Sequence, residues 1–132
     1  MTWILEDPLP LLKESEIFSG LDEDTLALIA RVVRYRELSA GETLFAVGDP
    51  RRALFVVAEG TLTVLQERDE RKEQLILLGP RQAVGEAALL EPGSHSTTGR
   101  ASTRIRVLEF PRDDVLGLLG ENAHAAVQLL TQ

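Results

Sequence analysis

The chain has 132 residues, 44% of them hydrophobic and 27% charged, which fits one soluble globular domain and excludes a disordered or low-complexity polypeptide. Its net charge of −7 argues against capture of nucleic acid by this chain alone, because that affinity rests on lysine and arginine neutralising phosphates. There is no cysteine, which removes disulfides, thiolate nucleophiles and cysteine metal sites together.

The N-terminal MTWILEDPLP lacks the basic start and apolar core of a signal peptide. Apolar runs such as Leu54 to Ala58 are far shorter than the roughly 20 residues of a membrane helix. A cytoplasmic domain with no membrane insertion is therefore expected. Trp3, beside Ile4 and Leu5, is placed to pack as an anchor. Leu9 to Ile17 reads as a short helix. Asp22 then caps a second helix over about 23–33, with Glu23 and Asp24 in its first turn and Leu26, Ile29, Ala30 and Val33 at helical spacing.

From Arg34 the pattern changes to short runs rich in valine, leucine and threonine, broken by SAGE, VGDP, AEG, LGP and EPGS. Strands are predicted at 34–38, 42–46, 53–58, 61–67, 73–78, 82–84, 96–101 and 104–109. Strands so close in sequence imply antiparallel hairpins, and so many in one domain must roll up or fold over to remove their edges. The basic residues in RDERK, 68–72, are interrupted by acids and read as a solvated hairpin turn. Pro111 is predicted to open a helical tail as its first residue. There Val115, Leu116, Leu118 and Leu119 supply apolar surface, and Ala123, Ala126, Val127 and Leu130 give a second stripe up to about 131. That stripe suggests a homodimer or a partner protein covering the C-terminal helices.

The predicted architecture is mainly β with flanking α: an eight-stranded antiparallel β-barrel or jelly roll over about 34–110, helices over about 9–33 before it, and helices over about 111–131 after it, in one domain spanning 1–132. Gly41-Glu42, Phe45, Gly48-Asp49, Leu54-Phe55-Val56-Val57, Gly60 and Gly85-Glu86-x-Ala88-Leu89-Leu90 follow in order through successive turns. In this respect the chain resembles the cyclic nucleotide-binding domain of catabolite activators and protein kinase A regulatory subunits, from about Leu11 to Leu130. Gly41, Gly48 and Gly60 have an architectural explanation without the family, since tight turns between strands demand positive φ.

The resemblance implies a regulatory, non-enzymatic module with cyclic AMP or cyclic GMP as ligand and no other cofactor, and another small anion is the alternative occupant of the same loop. It sets the phosphate-binding cassette on Gly85, Glu86, Ala87, Ala88, Ser94, His95, Ser96 and Thr97. Anions suit such a segment because its backbone N–H groups point at the ligand. Glu86 matches the glutamate that accepts from the ribose 2′-hydroxyl, or else binds nearby N–H groups or an arginine to hold the turn. Ser94 stands where proline is usual and His95 where the phosphate-binding arginine is usual; Arg81 and Val84 replace glycine and phenylalanine. Histidine has fewer donors than arginine and is mostly neutral at pH 7, so cyclic nucleotides are expected to bind weakly, if at all. A bound phosphate would raise the His95 pKa and strengthen binding at lower pH. Arg100 falls an odd number of residues from His95 and so faces the other side of an extended segment unless a bulge at Gly99 intervenes.

Other readings of the same residues carry less. Ser94-His95-Ser96 sets a nucleophile type beside a base type, but neighbours in an extended chain point opposite ways and no acid is placed to orient the histidine. His95 and His124 are the only histidines, too few for a zinc site without carboxylates. The GDP at 48–50 reads as a turn tripeptide. The alternative to a ligand sensor is a ligand-independent interaction or dimerisation domain of the same fold, part of a larger regulator or transporter.

Overall fold

The computed structural model describes residues 3–4, 7–85, 88 and 93–121. Helix α1 runs Leu9–Glu14, shorter than predicted. Ser15 ends it: its hydroxyl donates to the Leu12 carbonyl at 2.8 Å and accepts from the Phe18 N–H at 3.2 Å, taking over backbone groups that a continuing helix would use. Helix α2 runs Glu23–Ala30, capped as expected by Asp22, which accepts from the Thr25 N–H at 2.8 Å. It stops short of Val33 because the next N–H groups bond three residues back, as Val32 does to Ile29 at 3.2 Å, tightening the chain into a turn.

Eight strands follow: β1 Arg34–Leu38, β2 Thr43–Phe45, β3 Ala53–Glu59, β4 Leu62–Arg68, β5 Arg71–Leu78, β6 Ala83–Val84, β7 Thr98–Ala101 and β8 Ile105–Pro111. They form two antiparallel four-stranded sheets, in the orders β1-β8-β3-β6 and β2-β7-β4-β5. The expected jelly-roll pattern is present, but the strands do not close into a barrel. Helix α3 is Arg112–Glu121. Pro111 is the last residue of β8, paired with Ala53, rather than the first of the helix, because the long β3–β8 ladder extends through it. The part of the predicted tail beyond 121, including His124, lies outside the described residues.

Alternate residues of β3 and β8 serve two separate cores. Leu54, Val56, Leu108 and Phe110 face the helices and meet Leu12, Phe18, Leu26 and Ile29. Ala53, Phe55, Val57, Ile105 and Val107 face the second sheet and meet Phe45, Leu62, Val64 and Ala101. This explains why β3 reads as an unbroken apolar run: both of its faces are covered. Trp3 is buried against the first sheet, its Nε1–H donating to the Arg36 carbonyl at 2.8 Å and its ring edge-on to Tyr35.

The turns behave as their residues require. Gly41, Gly48 and Gly60 have φ of +90°, +89° and +85°. At Gly60 a Cβ would also strike the Arg104 carbonyl and stand 2.8 Å from Ile105 Cγ2, so glycine is needed there twice over. Asp69 and Glu70, at φ 52° and 64°, make the tight β4–β5 hairpin inside the RDERK stretch.

Candidate functional site

Two loops far apart in sequence meet at one end of the sheet pair. The β2–β3 loop and the segment leading into β7 form a short antiparallel ladder around a Pro50–Ser94 bridge. The Gly48 N–H donates to the His95 carbonyl at 2.9 Å, the His95 N–H to the Asp49 carbonyl at 2.8 Å, and the Arg51 N–H to the Gly93 carbonyl at 2.9 Å. Asp49 also folds its carboxylate back to accept from the Ala46 N–H at 3.1 Å. The GDP tripeptide is thus a turn, as expected, and one that fixes the position of the cassette.

The ladder turns the His95 ring inward. It is 8% exposed and stacks on Phe45, ring centres 4.2 Å apart and planes 22° from parallel; Phe45 in turn lies 6.1 Å from Phe55 at 12°. Phe45 fits because Gly99 opposite has no side chain: a Cβ there would stand 2.5 Å from Phe45 Cε2. Burial pushes the His95 pKa below the ordinary value, the Arg51 guanidinium pushes it further down, and Asp49 opposes them. The lowered pKa favours the neutral imidazole, in line with the expectation that this histidine is mostly uncharged at pH 7.

The Phe45–His95 stack is a wall between two clefts. One, of about 220 Å³, is lined by Val84, Gly85, Ser96, Thr97, Phe45, His95 and Arg51. The other, of about 340 Å³, holds Asp49, Arg52 and the Arg36–Glu109 ion pair at 3.3 Å. Gly85, at φ +87°, brings the chain so close to β3 that a Cβ would stand 2.9 Å from the Ala53 carbonyl. No hydrogen bond to another described residue engages Ser96 or Thr97.

Of the cassette residues expected from sequence, Gly85, His95, Ser96 and Thr97 come together on the smaller cleft. Ser94 is exposed and does not line it, since alternation along the ladder turns it to the other face. Ala88 is fully buried; its N–H bonds to the Gly85 carbonyl at 2.9 Å, and its carbonyl accepts from Arg112 Nε at 2.6 Å. This contact ties the cassette to the first residue of α3. Glu86 and Ala87 lie outside the described residues, as do Leu89 and Leu90. Arg100 faces away as expected: β7 turns Gly99 and Ala101 inward, leaving Thr98 and Arg100 on the outer face.

Arg51 on this cleft was not legible in the sequence. Its only local signal is the Arg51-Arg52 pair after a turn and before a strand whose first five residues are buried, a place where charge has no role in the core.

Two antiparallel sheets with helices before and after them, and a cleft bordered by Gly85 and the residues leading into β7, match a class of regulatory ligand-binding domain. The chain belongs to the cyclic nucleotide-binding domain family, whose pattern matches residues 35–122. It is 31% identical over 109 residues to the cyclic AMP receptor protein of Thermus thermophilus, covering 82% of this chain and 50% of that protein. It is 23% identical over 121 residues to a CRP-like cAMP-activated global transcriptional regulator of Mycobacterium tuberculosis, covering 91% and 54%. The N-terminal domain of a transcriptional regulator from Streptomyces coelicolor superposes with a TM-score of 0.84 at 30% identity, covering 91% of this chain and 86% of that one. The chain spans about half the length of the curated relatives it matches. No helix among the described residues is long and apolar enough to cross a membrane.

Proposed function

We propose that this chain is a non-enzymatic sensor module that takes the cyclic phosphate of cyclic AMP or cyclic GMP in the smaller cleft, and binds it weakly. The observation that carries this reading is the convergence of Gly85, His95, Ser96 and Thr97 on one opening. At about 220 Å³ that opening is below the ~300 Å³ at which pockets for whole drug-sized ligands begin, so it suits a phosphate and its sugar better than an entire buried nucleotide. A neutral, stacked His95 offers a single N–H donor in place of a charged fork. The bond from Arg112 to the Ala88 carbonyl gives a route by which movement of the cassette would reach α3. A ligand would bias that movement only through a difference in affinity between the two arrangements.

The second reading, a ligand-independent interaction domain, is favoured by one observation: the three-ring stack fills the space between the sheets with the protein's own side chains. Calorimetric titration of the wild type and of His95→Arg with cyclic AMP and with cyclic GMP separates the two readings. Saturable heat from the wild type, with affinity about 10- to 100-fold higher in His95→Arg, supports the sensor. Silence from both folded proteins overturns it and leaves the interaction domain.

A further inference from the structure

The resemblance leaves the cassette without its guanidinium, and Arg100, the nearest arginine downstream, faces out. The fold brings a different arginine to the same opening. Counting along the ladder from the Pro50–Ser94 bridge puts Asp49 opposite His95 and Arg51 opposite Gly93. Arg51 and His95 are therefore diagonal neighbours on one face, about 7–8 Å apart at the backbone, a gap that a long side chain spans. Gly93 has no side chain to hold the guanidinium away; a Cβ there would stand 3.4 Å from Arg51 Nη1. The Arg51 side chain thus lies along the 93–97 segment and borders the cleft with Gly85, His95, Ser96 and Thr97.

We propose that Arg51, reaching across from the β2–β3 loop, supplies the guanidinium that pairs with the monoanionic cyclic phosphate of a nucleotide in this cleft. The inference rests on the reading of the cleft as a cyclic-phosphate seat, and it names the residue that carries the charge. A guanidinium has the planar fork that phosphate oxygens accept from, and it keeps its charge at every pH the domain meets. The surroundings favour an anion as well. Arg51 also borders a hollow of about 480 Å³ with Arg34, Arg52 and Arg112, offset by Asp113 and Asp114, a local concentration of positive charge in a chain of net charge −7. His95 becomes the neutral partner that fixes the cleft wall.

The test is a calorimetric titration with cyclic AMP, at about pH 6 and about pH 8, of the wild type, Arg51→Gln, Arg51→Lys and the double variant Arg51→Gln/His95→Arg. Thermal melting of each shows that it is folded. Arg51→Gln is expected to weaken binding roughly 10- to 100-fold, Arg51→Lys less, and the double variant to regain affinity. Wild-type affinity is expected to be equal at the two pH values. Among the described residues, the charged groups facing His95 are Asp49 and Arg51 on its own ladder and Arg36, Arg52 and Glu109 across the larger cleft. Unchanged binding in Arg51→Gln overturns the role of Arg51 while the sensor reading stands. A wild-type affinity about tenfold higher at pH 6 assigns the charge to His95 and likewise overturns it. A silent wild type beside a binding double variant also overturns it, and silence from every folded variant overturns the sensor reading too.

Discussion

The two apolar cores that share β3 and β8 end in different ways. On the helix side the last large contact is Phe18 edge-on to Phe110, ring centres 5.2 Å apart at 69°, in a cluster of apolar side chains that includes Leu12, Leu26, Ile29, Leu54 and Leu108. Between the sheets the aromatic column Phe55–Phe45–His95 finishes in an imidazole that walls two clefts. The first core is closed by apolar rings; the second ends in a polar ring that borders open space, so the function proposed above falls on the second and leaves the first to stability.

The contrast can be broken most forcibly from the sealed side. Phe110→Ala should cost about 3–5 kcal/mol in chemical denaturation, because the residue is fully buried and its loss leaves a cavity among apolar neighbours. A cost below about 1 kcal/mol would mean that the helix-side core closes around the lost ring.

Gly99→Ala should cost about 1–3 kcal/mol by driving a methyl group into Phe45. Adding Phe45→Leu should recover part of that loss, so that the double variant is more stable than the sum of the single effects predicts. Additive losses would mean that Gly99 matters for its backbone and not for the ring it admits.

A pH series sharpens the comparison further. His95 is buried with its pKa depressed, so below its ordinary value of about 6.5 the unfolded chain binds more protons than the native one. Its effect is a loss of stability that begins as the pH falls through that value and levels off below the native pKa. His95→Phe keeps a ring on Phe45 and removes the titration, so its melting temperature should fall less between about pH 7.5 and about pH 5.5 than that of the wild type. Equal falls would place the acid sensitivity elsewhere.

The smallest effect is expected at Arg51. Its replacement by Gln should change stability by less than about 1 kcal/mol, since the side chain is partly exposed and surface ionic contacts contribute little. A larger loss would mean that Arg51 holds the loop together, and the ligand titrations would then have to be read against that.

Much of the fold was legible residue by residue. Asp22 caps α2 because its side chain and the chain's first-turn acids act locally. The strands of the middle region stand within a few residues of their predicted places, because apolar runs broken by glycine turns leave few other choices. The helix ends were less legible. Ser15 and the valines after Ala30 each offered the backbone a competing bond or turn that periodicity does not register.

By itself the sequence determined where most of the strands lie, which glycines make turns, and that Arg100 points away from His95. Those properties follow from side-chain period and backbone freedom, which act over a few residues. Only the tertiary structure decided that the strands form two open sheets, that Ser94 leaves the cleft, and that Arg51 enters it. The last two depend on the pairing of residues 48–51 with 93–95, and a ladder between distant segments is set by the packing of both sheets rather than by either segment alone.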